Sequence, residues 1–498
     1  MKLLAALIIF SIPIAFVMGC HSLKEPLAPS QLSAYRLEKE VRANEADYFA
    51  ASFAQEKQLK KTTKPKISDP AWASIRKKKI DSSKELTLIE LVDMALRNNP
   101  KTQQAWQNTR IARAVKGEAQ SKFFPQATIS ETLAREKVSA TLPAADLDDR
   151  HYGPAGELTW LLLDFGGRSS GVEGAFQKML SADFQYNQSL QDLLLEVERA
   201  YYDFYSSQAE LVAVQDNVAN AEADYNAAVQ RNKYGLVPQL DVLQAKTNYE
   251  GALYSLENAK GRVKTSKANL AKLIGVSADS DFSIASPAKD LPTNVTEQEV
   301  TSFIEEAIQI RPDISALRAE LAASKAAVKS ATSDLLPALN LNGSAGKNNY
   351  KYYSAQMAKE HDYDYSGSLS VDWNIFDGFY SINKRKAAKG EAEIAYQKLI
   401  EAELAASADV WIKYYNYNTA VGKFTFSQAA LETAQSSYDL ATQSYNAGIK
   451  SILDLLQAQS KLSESRSRLI LSKKDVFVTL AELAHATGSI IVKGDESK

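Results

Sequence analysis

The sequence predicts a mainly α-helical chain with a small β part, built as an internal tandem duplication. First, the stretch KYGLVPQLDVLQA at 233–245 recurs in part as NAGIKSILDLLQA at 446–458. Second, no proline occurs between Pro154 and Pro238 or after Pro337, which permits very long helices. Third, each half contains a short region of alternating apolar and polar residues. A chain of 498 residues exceeds what a single core usually serves, which favours two large units.

The N-terminus predicts a signal peptide over residues 1–19, because a basic residue precedes a long apolar run. The run ends Val-Met-Gly before Cys20, which resembles a bacterial lipobox and predicts a lipid on that cysteine after cleavage. Cys20 is the only cysteine, and lipidation explains a lone thiol in an oxidising compartment. The alternative is an ordinary secretory signal that happens to carry a cysteine. Residues 20–85 then form a lipid-anchored segment and linker, whose lysine-rich part is solvated or contacts acidic headgroups.

Two repeats follow, at residues 86–299 and 300–490, and a tail occupies 491–498. The opening LTLIELVDMALRNNP of the first repeat aligns with VTSFIEEAIQIRP of the second at an offset of 212 residues. Trp160 aligns with Trp373 at an offset of 213. A drift of one residue over nearly the whole length predicts an internal duplication.

Each repeat contains a predicted β-hairpin, at about 126–165 and about 338–377, which follows a helix of ordinary length. The alternation is clearest in the second hairpin, where serine, aspartate and asparagine occupy one face of the returning strand. The other face is apolar and consists of Leu369, Val371, Trp373 and Ile375. Both hairpins are therefore predicted to have one apolar and one polar face.

A very long helix is predicted after each hairpin, over about 168–232 and 380–445. About 65 helical residues span on the order of 100 Å, far longer than a compact domain needs. In the first of these helices, apolar residues keep the 4-3 spacing of a narrow coiled-coil seam, namely Leu190, Leu194, Val197, Tyr201, Phe204 and Leu211. A return helix of about 35 residues follows each one, over 238–273 and 451–486.

A tight tip joins each long helix to its return helix, at 233–241 and 446–454. Gly235 and Gly448 end the incoming helices, because glycine adopts a positive φ without a Cβ penalty. In the first tip Pro238 is placed to open the outgoing helix. In the second tip a Ser-x-x-Asp capping box does so.

The two hairpins supply four two-faced strands per chain. A membrane-spanning sheet must close, and closed membrane barrels begin at about eight strands, so several chains are needed. Three copies would give a twelve-stranded barrel with its polar face inward, continued by the helices as a tube. No internal apolar run is long enough for a transmembrane helix, and a formal charge of −2 gives no electrostatic case for nucleic acid. The sequence shows no catalytic motif and no metal-ligand spacing, so no enzyme is predicted.

The two tip motifs, the LTLIELVDMALRNNP opening and the duplication resemble the TolC family of outer-membrane channel proteins over about residues 86–490. The resemblance implies a homotrimer, with a twelve-stranded barrel in the outer-membrane lipid and an α-helical coiled-coil tunnel in the periplasm. It also implies docking to a periplasmic adaptor protein and an inner-membrane transporter of the RND or ABC class. The expected function is a passive, gated duct of a tripartite efflux or type I secretion system, exporting small molecules or proteins. No cofactor is expected besides the covalent lipid on Cys20.

By the same resemblance, the tips form the periplasmic gate. Asp241 matches the acidic position of the first tip, and Tyr445 and Lys450 match the aromatic and basic partners on the second. Asp454 matches a lumen-facing acidic ring, but Gln457 stands where the family can carry a second aspartate, so a strong cation-binding ring is not predicted. Helix capping is the alternative role for Asp241 and Asp454, and the two roles are compatible.

The alternative function is that of a pore-less structural coiled-coil lipoprotein in the periplasm. Against it stand the two-faced hairpins, in which Trp160 and Trp373 are placed alike and suit a membrane interface. The residues specify neither the exported substrate nor the class of pump that drives export.

Overall fold

The computed structural model describes residues 84–138, 147–287, 298–352 and 360–488. In chain order the elements are β1 (Glu85–Leu86), α1 (Leu88–Asn98), α2 (Pro100–Ser121), β2 (Gln126–Val138), β3 (Leu147–Leu163), α3 (Gly167–Lys233), α4 (Gln239–Leu273), β4 (Ser283–Ile284), α5 (Gln298–Ile310), α6 (Pro312–Ser333), β5 (Ala338–Tyr352), β6 (Glu360–Asp372), α7 (Tyr380–Asn446) and α8 (Ile452–Ala486). The prediction of a mainly helical chain with a small β part is confirmed. The predicted signal peptide, Cys20, nearly all of the linker and the tail at 491–498 lie outside the described residues.

The longest helices, α3 and α7, contain 67 residues each. At about 1.5 Å per residue, each spans about 100 Å. Helices α4 and α8 contain 35 residues each, and they pack back along α3 and α7 respectively. Within the described ranges, no helix combines the length and the apolar composition needed to cross a membrane.

Strands β2, β3, β5 and β6 form one antiparallel sheet in that order. The register gathers apolar residues on one face, since Trp160 lies opposite Leu341 and Leu341 lies opposite Leu369. Ile129 and Tyr365 on this face are each 88% exposed. Polar and charged residues occupy most of the other face. A contiguous apolar face of this exposure indicates contact with another apolar surface.

The edges of this sheet are β2 and β6, which each pair on one side only within the described chain. The edge strands contain 13 residues each, and the inner strands β3 and β5 contain 17 and 15. A tilted strand needs only about 9–11 residues to cross a membrane, so all four are long enough.

The chain leaves the sheet in the same way in both halves. Trp160 donates its indole N–H to the carbonyl of Phe123 at 2.9 Å, and Trp373 donates to the carbonyl of Leu335 at 3.1 Å. The end of the last strand corrects one prediction. Strand β6 ends one residue before Trp373, so Trp373 and Ile375 lie beyond the strand and not on its apolar face. The indole bond ties the chain to the end of the preceding helix instead.

The long helices begin alike as well. The carboxylate of Asp164 accepts the N–H of Arg168 at 2.6 Å, and that of Asp377 accepts the N–H of Ser381 at 2.8 Å. Both aspartates therefore satisfy first-turn donors of α3 and α7. A phenylalanine and a glycine with positive φ make the sharp turn in each half, namely Phe165, Gly166, Gly378 and Phe379.

A large core lies where α3 passes α1 and the end of α4. Five residues of the predicted coiled-coil seam are buried in it, namely Leu190, Leu194, Val197, Tyr201 and Phe204. Leu211 is only half-buried, because the core ends before it. The seam also packs near the parallel pair of β1 and β4, where Leu86 lies opposite Ile284. It therefore has several partners and not one facing helix.

Candidate functional site

Two helical turns lie at the ends of α3 and α7 that are remote from the sheet. Tip 1, residues 233–241, joins α3 to α4, and tip 2, residues 446–454, joins α7 to α8. Gly235 in tip 1 has φ +71°, and Gly448 in tip 2 has φ +74°. Of the described atoms, none comes within 4 Å of where a Cβ on Gly235 would lie. The positive φ therefore accounts for the glycine at position 235, whereas the space around it would admit a side chain.

The incoming helices end with the same hydrogen bonds at both tips. The N–H of Leu236 donates to the carbonyl of Arg231 at 2.9 Å, and the N–H of Ile449 donates to that of Ser444 at 2.9 Å. These are the 6→1 bonds of the Schellman motif, which satisfies carbonyls that a helix end leaves unpaired. The two tips are thus built alike on their incoming side.

The outgoing helices begin differently. In tip 2 the hydroxyl of Ser451 accepts the N–H of Asp454 at 3.3 Å, and the Asp454 carboxylate accepts the Ser451 hydroxyl at 2.8 Å. These bonds to Ser451 lower the pKa of Asp454. In tip 1 the N-cap of α4 is Pro238, which makes no side-chain capping bond. Asp241 stands at the position of Asp454 but has no reciprocal hydroxyl, so a capping box does not engage its carboxylate.

Lys450 lies beside Asp454 in its own tip. Its Nζ is 4.0 Å from Oδ1 of Asp454, and both side chains are about half-exposed. An ion pair of this exposure contributes little to stability. Within the part of the chain that the structure describes, no ion pair joins Lys450 to Asp241, so one chain alone does not bring these two predicted partners together.

Tyr445 is the buried member of the predicted set, at 2% exposure. The guanidinium carbon of Arg231 lies 4.6 Å from the centroid of its ring. Burial raises the pKa of Tyr445, while the charge of Arg231 opposes this shift and the charge of Asp241 adds to it. Asp241 therefore acts on Tyr445 through the electrostatic effect of its charge. The Tyr445 hydroxyl itself has no hydrogen-bond partner among the described residues.

A second contact between the halves lies seven residues before Arg231 and Tyr445 in their helices. The hydroxyl of Tyr438 donates to the carboxylate of Asp224 at 3.5 Å. Asp224 is 6% exposed, and this burial raises its pKa to about 6. Sequence reasoning missed both Arg231 and Asp224. The available signal was that Asp224 precedes Arg231 by seven residues, as Tyr438 precedes Tyr445.

Below the two tips, one apolar cluster draws residues from all four helices, namely Ala228, Val242, Ala245, Tyr438, Tyr445, Ile452, Leu455 and Leu462. The tips of one chain therefore pack together. Their outer ends are apolar and exposed, with Tyr234 at 74% and Ile449 at 76%. In the described ranges, no group of three or more histidine, cysteine, aspartate or glutamate residues is arranged to hold a metal ion.

A two-faced sheet with open edges, continued by helices about 100 Å long that end in paired tips, is the architecture of an outer-membrane channel subunit. The family model described as outer membrane efflux protein matches residues 91–276 and 303–489. The chain belongs to this family, and the predicted relationship to TolC-type channels is confirmed.

Curated relatives match over most of their length. Protein CyaE of Bordetella pertussis is 27% identical over 421 residues, which cover 84% of this chain and 88% of CyaE. Outer membrane protein TolC of Vibrio cholerae is 24% identical over 326 residues, which cover 65% of this chain and 74% of TolC. The chain is therefore the outer-membrane channel component of an efflux or secretion system, located in the outer membrane and extending into the periplasm.

Solved structures share the fold. The outer-membrane channel OprN superposes with a TM-score of 0.71 at 21% identity, covering 81% of this chain and 90% of that one. The Campylobacter jejuni CmeC outer membrane channel superposes with a TM-score of 0.70 at 17% identity, covering 80% and 85%. The fold is thus that of outer-membrane channels.

Proposed function

We propose that three copies of the chain form a twelve-stranded barrel in the outer membrane, continued in the periplasm by a closed tube of helices. The supporting observation is a sheet of four strands with two open edges and one exposed apolar face. A sheet in a bilayer must pair its edges, and four strands are too few to close by themselves. Pairing β6 of one chain with β2 of the next removes both edges.

The duct is passive, and a transporter in the inner membrane supplies the energy. A periplasmic adaptor connects this transporter, of the RND or ABC class, to the tips. Supporting this, the outer ends of both tips are apolar and exposed, as a docking surface requires. Export of small molecules or proteins through this duct involves no catalysis by the chain.

Residues 1–19 are removed as a signal peptide, and Cys20 carries the lipid that anchors residues 20–85. The duplicated units occupy 86–299 and 300–490, with a tail at 491–498. Cys20→Ser tests the anchor, because it should abolish incorporation of labelled palmitate. Incorporation that survives Cys20→Ser would contradict lipidation at this cysteine.

The oligomer tests the channel directly. The protein extracted from outer membranes in detergent should have the mass of three chains and should conduct ions in planar bilayers. A monomer or dimer would leave the sheet edges unpaired and would favour the pore-less periplasmic lipoprotein. A trimer without conductance would also contradict the duct.

The tips act as the gate, with Asp241, Tyr445, Lys450 and Asp454 as its residues. Exposed ion pairs are weak, each about 1 kcal/mol or less in general, so a docking partner can open a ring of them. Asp241→Ala combined with Lys450→Ala should therefore raise the conductance. The matched control is Glu257→Ala with Lys260→Ala, which removes an exposed 2.6 Å ion pair of α4 away from the tips. Equal conductance in both double variants would count against a polar gate.

A further inference from the structure

The two long helices do not have the same neighbours within one chain. Helix α3 packs along two return helices, α4 of its own half and α8 of the other half. Away from the tips, helix α7 packs along only one return helix of the described chain, which is α8. Because the halves are duplicates, α7 has a free face where α3 has its second return helix. In a closed tube of three chains, the helix that lies on this face is α4 of the next subunit, since α4 is the counterpart of α8.

The free face of α7 carries exposed apolar side chains near the middle of the helix. Trp411 is 37% exposed and Tyr415, one turn further on, is 48% exposed. Their rings stack with centroids 5.3 Å apart and an interplanar angle of 8°. Ile412 beside them is 57% exposed. Two stacked rings and an isoleucine on the surface of one helix indicate contact with another surface.

The contact between α3 and α8 shows which residue of α4 would face these rings. Tyr202 of α3 corresponds to Tyr415 at the offset of 213 residues, and its ring stacks on Phe477 of α8 with centroids 4.8 Å apart. The residue of α4 that corresponds to Phe477 is Lys264. Lys264 is exposed, and it makes no ion pair or ring contact with any described residue. An ammonium group in the place of a ring can bind the aromatic face opposite by a cation–π interaction.

The ion pairs of the α3–α8 contact have no counterparts on the free face of α7. Between α3 and α8, Arg199 pairs with Glu482 at 2.6 Å and Lys474 pairs with Asp203 at 3.3 Å. The four corresponding positions on α7 and α4 are uncharged, namely Ile412, Asn269, Asn416 and Gly261. Helix α8 is therefore matched to α3 by charge, and α4 must be matched to α7 by other means. Different chemistry at two otherwise equivalent contacts prevents the return helices from exchanging partners.

We propose that Lys264 of one subunit lies over the rings of Trp411 and Tyr415 of the next subunit and holds the two chains together. The inference rests on the proposed three-chain channel, and it names the residues that close the tube between chains. A trimer contains three such cation–π contacts, one at each boundary between subunits. The contact inside each chain keeps its ion pairs.

Chemical cross-linking of cysteine pairs tests the position of the contact in the full-length protein. With a short bis-maleimide, Lys264→Cys combined with Tyr415→Cys should link neighbouring subunits and give dimer and trimer bands on a denaturing gel. Tyr202→Cys combined with Phe477→Cys should link within one chain and leave a band of monomer mass. The matched control is Lys246→Cys combined with Tyr415→Cys. Lys246 is exposed on the same face of α4 but lies 18 residues, or about 27 Å, from Lys264, so this pair should not be linked.

The rate at which the trimer dissociates in sodium dodecyl sulfate tests the chemistry of the contact. Lys264→Met should accelerate dissociation severalfold, because it keeps the apolar stem and removes the charge. Lys264→Arg and Tyr415→Phe should dissociate like the wild type, since a guanidinium also binds rings and the ring does not need its hydroxyl. Lys246→Met is the control for the loss of an exposed cation from α4, and it should also match the wild type.

A combined variant separates the cation–π contact from a general effect on packing. The variant with Trp411→Leu and Tyr415→Leu should dissociate faster than the wild type, because both rings are lost. Adding Lys264→Met to this variant should have no further effect, since the ammonium then has no ring to bind. A further acceleration equal to that of Lys264→Met alone would show that the lysine and the rings act independently, which overturns the inference.

The remaining outcomes distinguish the inference from the proposed function. A wild-type protein with the mass of one or two chains overturns the proposed function, and the inference with it. A wild-type trimer in which Lys264→Cys and Tyr415→Cys are not linked between chains overturns the inference alone. A trimer whose dissociation Lys264→Met leaves unchanged does so too. If Lys264→Met forms no trimer, Lys264→Arg decides, because a trimer restored by arginine supports the cation–π contact and a trimer that is not restored overturns it.

Discussion

Tip 1 and tip 2 end their incoming helices with the same glycine turn, yet they start their outgoing helices with different residues. Pro238 precedes α4 without a side-chain cap, whereas Ser451 forms a reciprocal capping box with Asp454. In tip 2 the carboxylate of Asp454, at the third helical position, is therefore engaged in the capping box. In tip 1 no capping box engages Asp241, so its carboxylate is available for another contact.

The two halves also contribute different groups to the surface between them. The first half supplies the charged residues Asp224 and Arg231, and the second supplies Tyr438 and Tyr445 one heptad apart. Turns are therefore alike where the backbone requires it, and side chains differ where the halves meet. A repeated unit can specialise in this way without changing its fold.

The largest expected effect is on stability and concerns Asp224, the buried carboxylate between the two halves. The pKa of Asp224 is raised from 3.8 to about 6 by burial, so the folded chain binds more protons than the unfolded one between these pH values. Its contribution to stability is therefore best at low pH and falls as the pH rises through about 6. Asp224→Asn should stabilise the protein at pH 8 by about 1–2 kcal/mol, because the neutral amide avoids the cost of a buried charge while its oxygen can still accept the hydroxyl of Tyr438.

Thermal unfolding in detergent at pH 5 and pH 8 measures this effect. The groups that act on this site are Tyr438 itself and Arg466, whose charge lowers the pKa of Tyr438. Asp216→Asn removes an exposed carboxylate from the same helix and is the control. A stabilisation by Asp224→Asn that is equal at both pH values would show that the carboxylate does not titrate in this range.

The glycine turns should respond equally, which tests the common part of the tips. Gly235→Ala and Gly448→Ala should each cost about 1 kcal/mol, because both residues have positive φ. A Cβ at Gly448 would approach Nη2 of Arg231 to 3.9 Å, an ordinary contact. Thermal midpoints of the two single variants give the comparison, and a much larger loss at one glycine would contradict equivalence.

Exchanging the caps should exchange the behaviour of the tips. Pro238→Ser installs a capping box with Asp241 and should stabilise α4 by about 0.5–1 kcal/mol. If Asp241 serves the gate, the same change should raise the conductance, because the carboxylate is now engaged. Ser451→Ala should cost about 1 kcal/mol. Pro238→Ala is the control, since it removes the proline without adding a hydroxyl, and a conductance equal to that of Pro238→Ser would contradict the role of the cap.

The smallest effect is expected at Lys450. Its pair with Asp454 is exposed, and the capping box already holds that carboxylate. Lys450→Ala should lower the thermal midpoint less than Ser451→Ala does. The loss caused by Lys450→Ala should vanish near roughly 0.5 M salt. A loss that persists at high salt would show that Lys450 contributes through packing.

Sequence patterns predicted the long elements because their signals repeat within one stretch of chain. The absence of proline, the aligned tryptophans and the recurring glycines each mark a local backbone requirement. Arg231 was missed because a basic residue in the last turn of a helix is already accounted for by the helix dipole. Its partner carbonyls lie 214 and 215 residues away and carry no sequence signature. Strands β1 and β4 have two residues each, too few to show any periodicity.

The serine at position 444 makes the bond between the tips one-directional. Because Ser444 stands where the first half has Arg231, only α3 donates a guanidinium to the last turn of the other long helix in the described chain. A duplicated unit can therefore lose its internal twofold equivalence at one end through a single residue, while both halves keep the same glycine turn.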